Sequence, residues 1–367
     1  MANFDMAELA LKSVAPSNKI VYDDKEMPSI MVYIPKFRLC DVLSTADTSV
    51  HPAFRRNGVE IDGFYVGKYQ TKHYGGRAYS LPAEDPQANT NLDTFVSYAK
   101  AKGAGHHEIT AVEWAAIALW CHKNGTEPKG NNNYGKDSTE TLYKAIPSMA
   151  RDASDRIQRV ATGTGPITWS HDGTLEGIWD MNGNVNEWCT GLRLKYGELQ
   201  ILEDNNASLD TTDLSDESNA WKAIDAATGD LVAPHRDANN KYDGQTSGSV
   251  KLDFLSSKWK YVTSITGTPG ANGCAFKDVQ VDSDISAAAI LLLQALAMYP
   301  DANLTGAGID ATYGGDQLYC NNSEAERSLY RGGGWAGGAN AGVFFANLGS
   351  HRSYSHDGIG GRAAYIE

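Results

Sequence analysis

Cysteines, histidines and a surplus of carboxylates are the residues of this 367-residue chain that could do chemistry. Its five cysteines are Cys40, Cys121, Cys189, Cys274 and Cys320. The count is odd, the spacing is wide and no CxxC pair occurs, so neither a disulfide framework nor a zinc site is expected. Buried, reduced thiols are the expectation instead. His351, His356 and Asp357 lie close together near the C-terminus, but two loop histidines and one aspartate fall short of a metal-ligand pattern. No Ser-His-Asp ordering, phosphate loop or dinucleotide fingerprint is present. The residue types point to a protein that is not an enzyme.

Composition narrows the partners. A formal net charge of −13 repels phosphate backbones, so no nucleic acid partner is expected. Hydrophobic residues at 41% and aromatic residues at 10% are enough for a packed core. Thirty-seven glycines against 12 prolines point to a loop-rich fold with many unusual backbone positions. Residues 1–17 carry Asp5 and Glu8 where a secretion signal needs a basic start, and no signal peptide is read there. The most apolar stretch, Ile285 to Met298, is shorter than the roughly 20 residues that span a bilayer. It is expected to be a core helix stopped by Pro300, without membrane insertion.

The elements that would position a site follow from periodicity. Residues 1–28 read as a tail or adaptor segment, and 29–367 as one domain. Met31 to Ile34 and Ile61 to Val66 read as strands, and Lys68 to Thr71 continues the second past an irregularity at Gly67. Leu92 to Lys102 places Leu92, Phe95, Val96 and Ala99 on one helical face, with Gly103 as its cap. Thr110 and Glu113 form a capping-box pattern ahead of a second helix that stops near Gly125. Residues 195–328 read as a long insertion, with short strands at Val250 to Phe254 and Trp259 to Val262. The first and last strands, Met31–Ile34 and Arg362–Ile366, are expected to pair side by side.

Two motifs are specific. Residues 177–188 read G-I-W-D-M-N-G-N-V-N-E-W, and residues 329–335 read L-Y-R-G-G-G-W, leading into I-G-G-R-A-A at 359–364. Their order resembles the formylglycine-generating-enzyme type of C-type-lectin fold, which implies an α+β, loop-rich architecture. Phe64 to Thr71 and Thr110 to Trp120 resemble that family's early strand and helix. The segment 330–366 is similar, more closely, to the variable region of proteins diversified by retroelements. The fixed letters of that pattern stand here as Gly338, Ala339, Asn340, Ala341, Gly342, Val343, Phe344, Leu348, Arg352, Ser353, Ser355, Ile359, Gly360 and Arg362.

The resemblance implies that the residues between the fixed letters are exchangeable and contact ligand. These are Ala336, Gly337, Phe345, Ala346, Gly349, Ser350, His351, Tyr354, His356, Asp357 and Gly358. Diversification of AAC codons in such systems yields no Lys, Glu, Gln, Met or Trp, and none of these occurs at those positions. Tyr354, Phe345 and His356 would be the anchors, with Ser350 and Asp357 supplying adaptable hydrogen bonds. A scaffold of Trp335, Val343, Phe344, Leu348 and Ile359, packed on Trp179 and Trp188, would hold them. Arg352 and Arg362 would tie loops to carbonyls or carboxylates.

The implied function is a non-enzymatic receptor-binding protein with a hypervariable region: a bacteriophage tail-tip or fibre component used in host attachment. Its partner would be a protein or glycan on a bacterial surface, and a homo-oligomer is compatible with the reading. A cellular surface adhesin of the same fold, located at the cell surface or in the cytoplasm, is one alternative. A degenerate formylglycine-generating-type enzyme is the other. That enzyme type uses a cysteine pair in the last stretch of its fold, where this chain has residues 353–358 without cysteine. No cofactor is expected. The family type also carries structural calcium near the 177–188 motif, where Asn184 and Glu187 would be either ligands or buried groups that fix the turn.

Overall fold

Thr110 fixes where the central helix begins. Its hydroxyl accepts the Glu113 N–H (3.2 Å) while the Glu113 carboxylate accepts the Thr110 N–H (3.0 Å), closing the expected capping box. The helix Ala111–Asn124 stops where Gly125 turns left-handed at φ 65°. Nearly every side chain along it is buried, as its alanine-rich, aliphatic sequence allows. The earlier helix, Leu92–Lys100, is started by the Asn91 side chain, which accepts the Thr94 N–H (2.9 Å). It buries Leu92, Phe95 and Ala99, and ends two residues before the expected Lys102. The apolar stretch forms the shorter helix Ala287–Ala295, capped by Ser286 and interrupted ahead of Pro300 by Ala297 at φ 51°.

The computed structural model describes residues 4–302 and 311–367. The start of the expected tail (1–3) and part of the expected insertion (303–310) lie outside the described residues. One sheet runs Lys19–Tyr22, Pro28–Pro35, Gly63–Gly67, Ala363–Tyr365, His106–Glu108, every neighbour antiparallel. The first and last strands therefore share a sheet but, against the expectation that they pair side by side, are not adjacent. Gly63–Gly67 lies between them, pairing Val66 with both Val32 and Ala364. The tail is also shorter than 1–28, because Lys19–Tyr22 pairs with Pro28–Met31 and belongs to this sheet. Strand geometry stops at Gly67, and Thr71–Tyr74 begins a separate hairpin, because the intervening Lys68 turns its ammonium onto Asn18 Oδ1 and the Leu175 carbonyl (2.6 Å each).

The second and larger sheet carries the C-terminal segment. Its path runs Ala271–Ala275, Gln317–Asn321, Ala346–Ser350, Arg327–Arg331, Asn186–Lys195, Glu198–Leu202, Lys251–Leu255, Lys258–Val262. Strands from residues 195–328 thus extend the sheet on both sides of Asn186–Lys195 and Arg327–Arg331. Between the sheets lies one apolar core in which Phe64, Val66, Trp114, Ile117, Leu194, Leu329, Phe344 and Leu348 are buried together. Among the described residues no helix is long and apolar enough to cross a membrane.

Candidate ligand-binding face

The floor of the C-terminal segment is a buried polar cluster. Arg362 is fully buried; its Nε and Nη2 donate to the two Glu187 carboxylate oxygens at 2.7 Å each. Arg362 Nη1 donates to the Gly67 carbonyl (2.8 Å) and Nη2 also to the Trp179 carbonyl (2.9 Å). One guanidinium therefore joins the last strand, the 177–188 motif and the early strand. Gln70 Nε2 adds a bond to Glu187 Oε1 (3.0 Å), and Asn184 Nδ2 donates to Gln70 Oε1 (2.9 Å). Asn184 Nδ2 donates also to the Val160 carbonyl, and its Oδ1 accepts from the Val160 and Asn131 nitrogens. Those contacts occupy both ends of the Asn184 amide and pair both Glu187 oxygens with a cation. Calcium asks for roughly six to eight oxygen donors, so these two side chains do not fit as its ligands. They fix the turn, in which Asn184 is left-handed at φ 63°. Among the described residues no group of three or more His, Cys, Asp or Glu is placed to hold a metal ion.

Asp180, in the same motif, is buried, and desolvation pushes its carboxyl up to about 6. Its Oδ2 accepts the Gly163 N–H (2.8 Å), while Oδ1 is buried with no hydrogen-bond partner among the described residues. A carboxyl whose folded value is raised stabilises the fold below its unfolded value of 3.8, and that contribution is lost as pH rises through about 6. Asparagine keeps an acceptor for Gly163 and tolerates the left-handed φ of 64° found at 180. Asp180→Asn is therefore expected to be more stable than the parent at pH 7.5 by about 3 kcal/mol, with the gap closing near pH 3.5. Urea melts at both pH values measure this. An equal gap at the two, or a less stable variant at pH 7.5, would contradict the assignment.

Above this floor the C-terminal loops are held through their backbone by groups outside them. In the first loop, Gly338 N donates to the Asn132 carbonyl (2.8 Å) and Trp335 N to the Asn184 carbonyl (3.1 Å). Trp114 Nε1 donates to the Val343 carbonyl (2.7 Å), and Asp316 Oδ2 accepts the Phe344 N–H (2.8 Å). Gly333, at φ 77°, has no room for a side chain: a Cβ there would lie 2.3 Å from that of Ala341. In the second loop, Arg159 grips Asp85 with two bonds of 2.9 Å and reaches the Asp357 carbonyl at 3.0 Å. Asn186 Nδ2 donates to the Gly358 carbonyl (2.9 Å), and the Asn89 N–H to the His356 carbonyl (3.0 Å). Arg352 ties the loop to Asp93 and to the Leu214 carbonyl (2.8 Å), as expected of a loop-tying arginine.

Of the expected exchangeable residues, Ala336, His351, Tyr354 and His356 are exposed, and Gly337, Gly349, Ser350 and Asp357 are half-buried. Tyr354 is 43% exposed and lies parallel to the His356 ring at 6.3 Å. Three expectations are corrected. Phe345 is only 9% exposed and packs with Leu92, Phe95, Trp188, Tyr330 and Ile359, so it is a core side chain that shows an edge. Ala346 is buried because Ala346 and Leu348 point inward along the strand while Asn347 and Gly349 point outward. Gly358 is buried under the Trp335 ring. The scaffold is also differently packed: Trp335 sits with Ala88 and Val185, Trp179 belongs to a separate cluster, and only Ile359 meets Trp188.

The outward residues frame two open depressions. One, of about 600 Å³, lies between Trp335, the Phe345 edge, Asn347 and His356; the other, of about 690 Å³, lies between Ser350, His351, Tyr354 and Ser355. Sequence reasoning missed Asn347, which the two-residue period set by buried Leu348 would have found. It also missed Arg159, for which the sequence carries no signal. Cys121, Cys189 and Cys320 are buried, with burial pushing each well above the ordinary thiol range, and Cys40 and Cys274 are half-buried and unpaired.

No family model and no curated protein matches the chain. Solved structures similar to it include PvdO from Pseudomonas aeruginosa, at 15% identity and TM-score 0.36, with 95% of this chain and 98% of that one covered. Treponema denticola variable protein 1 is similar at 13% identity and TM-score 0.36, with coverages of 96% and 100%. The P3c variant of Major Tropism Determinant is similar at 11% identity and TM-score 0.31, with coverages of 95% and 71%. At these values none of them transfers a ligand or an activity to this chain. The strand order and the shared terminal sheet give the chain a loop-rich α+β fold of two sheets around one core, the architecture implied by the resemblance of its motifs to the C-type-lectin fold of the formylglycine-generating-enzyme type.

Proposed function

We propose that this chain is a non-enzymatic receptor-binding protein that displays exchangeable residues on the C-terminal face, and that it serves a bacteriophage in attaching to a bacterial surface molecule. One observation carries the reading. The backbone of residues 332–358 is held from outside by Asn132, Asn184, Asn186, Trp114, Arg159 and Asp316, while the exposed His351 and His356 only close their own turns, accepting the Ser353 N–H (3.2 Å) and the Gly358 N–H (3.1 Å), and the exposed Ala336 and Tyr354 side chains stand clear of that framework. A face built so can change its side chains without changing its path. The ligand-binding domain in this reading begins with the strand Lys19–Tyr22 and includes the rest of the chain, with 195–328 an insertion within it and 330–366 its variable region. The ligand is a protein or glycan, and no cofactor takes part.

The test is adsorption of the labelled chain to a panel of intact bacterial strains. The native chain is expected to adsorb to some strains and not others, and a variant with Ser350, His351, Tyr354 and His356 all changed to alanine is expected to lose that pattern while melting normally. Adsorption unchanged in the variant, or none to any strain, contradicts the proposal. So does conversion of a peptide cysteine to an aldehyde by the purified protein, with or without copper.

A further inference from the structure

The variable strand Ala346–Ser350 has two neighbours, and one comes from far outside the variable segment. Gln317–Asn321 pairs with it in parallel, Leu318 opposite Ala346, Tyr319 opposite Asn347 and Cys320 opposite Leu348. Residues opposite one another across two strands point to the same side of the sheet. Leu318 and Cys320 are buried with Ala346 and Leu348, so Gln317 and Tyr319 emerge on the same face as Asn347 and Gly349. On the other side of the variable strand Tyr330 stands opposite Asn347, and beyond the 317–321 strand Gly273 stands opposite Tyr319. A row of Tyr330, Asn347 and Tyr319 thus crosses the face, ending against a residue with no side chain to cover it.

The row meets both depressions. Gln317 lines the one beside Trp335 and His356, and Tyr319 the one beside His351 and Tyr354. Tyr319 also lies against position 349. A Cβ added to Gly349 would sit 2.6 Å from Tyr319 Cε1 and 2.8 Å from Cδ1. The obstacle is an aromatic side chain at the surface, not backbone, so the ring can yield. Every replacement of Gly349 must then move Tyr319.

We propose that Tyr319 and Gln317, which lie outside the variable segment, are constant ligand-contacting residues of the face, and that exchange at position 349 acts partly by re-aiming the Tyr319 ring. This rests on the binding function proposed above. Tyrosine suits the role: it offers rigid apolar area and one hydroxyl at little entropic cost, whichever partner the exchangeable residues select.

The experiment uses a defined probe. The full chain is displayed with positions 336, 337, 349, 350, 351, 354, 356 and 357 diversified, and clones are selected on soluble lysozyme. Tyr319→Ala and Gln317→Ala are then placed in each selected clone. Tyr319→Ala is expected to weaken lysozyme binding at least tenfold in most clones while the amount of displayed, folded chain is unchanged. In clones with a residue other than glycine at 349, restoring Gly349 is expected to weaken binding, and to do so much less once Tyr319 is alanine. If clones bind equally with either alanine variant, the inference fails and the face is confined to the variable segment. If no clone binds although the chain is displayed, the binding function itself fails. If Tyr319→Ala lowers display, Tyr319→Phe separates the cases, because a folding role is met by phenylalanine at 319 and the dependence on position 349 should survive in it.

Discussion

Arg362→Met is expected to lower stability by about 3–5 kcal/mol, the usual cost of removing one partner of a buried ion pair. Both side chains of the Arg362–Glu187 pair are fully buried, and both guanidinium–carboxylate bonds are 2.7 Å. Without Arg362, the Glu187 carboxylate keeps only the Gln70 amide, and the Gly67 and Trp179 carbonyls each lose a donor. The cost therefore lies in stranded buried polar groups more than in the lost attraction. It follows that Arg362→Met combined with Glu187→Met should lose less than the sum of the two single changes, since no charge is then left alone. Urea unfolding of the four proteins measures the coupling. A single-variant loss below about 1 kcal/mol, or strict additivity, would show that the pair does not hold the last strand to the 177–188 motif.

Phe345 and Tyr354 are expected to part company under the same change. Both are aromatic and both stand at positions that the variable pattern treats as exchangeable. Phe345→Ala empties a site enclosed by Phe95, Trp188 and Tyr330 and should cost about 3–5 kcal/mol. Tyr354→Ala removes a ring already 43% exposed and should leave stability within about 0.5 kcal/mol, while losing about 2 kcal/mol or more of binding if the ring is an anchor. Trp335→Ala, in its own cluster with Ala88 and Val185, should resemble Phe345→Ala. Thermal melts beside adsorption measurements separate the two behaviours. A Phe345→Ala protein as stable as the parent would return that residue to the freely exchangeable set, and a Tyr354→Ala protein that unfolds would remove Tyr354 from it.

Where local chemistry decides structure, the sequence was enough. The Thr110–Glu113 capping box forms from residues three apart, and Leu92, Phe95 and Ala99 share a helical face because 3.6 residues make a turn. The 177–188 and 329–335 motifs likewise pointed to a loop-rich α+β fold, and the two-sheet architecture agrees with that. The expected loop-tying roles of Arg352 and Arg362 rest on the same patterns, and both arginines make such bonds.

Tertiary structure decided which side of that segment each residue occupies. Phe345 turns inward because Leu92, Phe95 and Trp188, contributed from outside the 330–366 segment, leave an apolar site beneath it, and no property of that segment says so. Ala346, expected to face a ligand, turns inward and Asn347 outward because a strand alternates its faces, and the phase of that alternation is set by the strands on either side. In the other sheet Gly63–Gly67 separates Pro28–Pro35 from Ala363–Tyr365 by one place, since which strand enters the gap depends on long-range pairing. Tyr319 and Gln317 illustrate the limit most clearly. Their own alternation marks a strand, but a parallel pairing between residues 317–321 and 346–350 has no local signature, because hydrogen bonds between distant backbone groups are the same for every residue type.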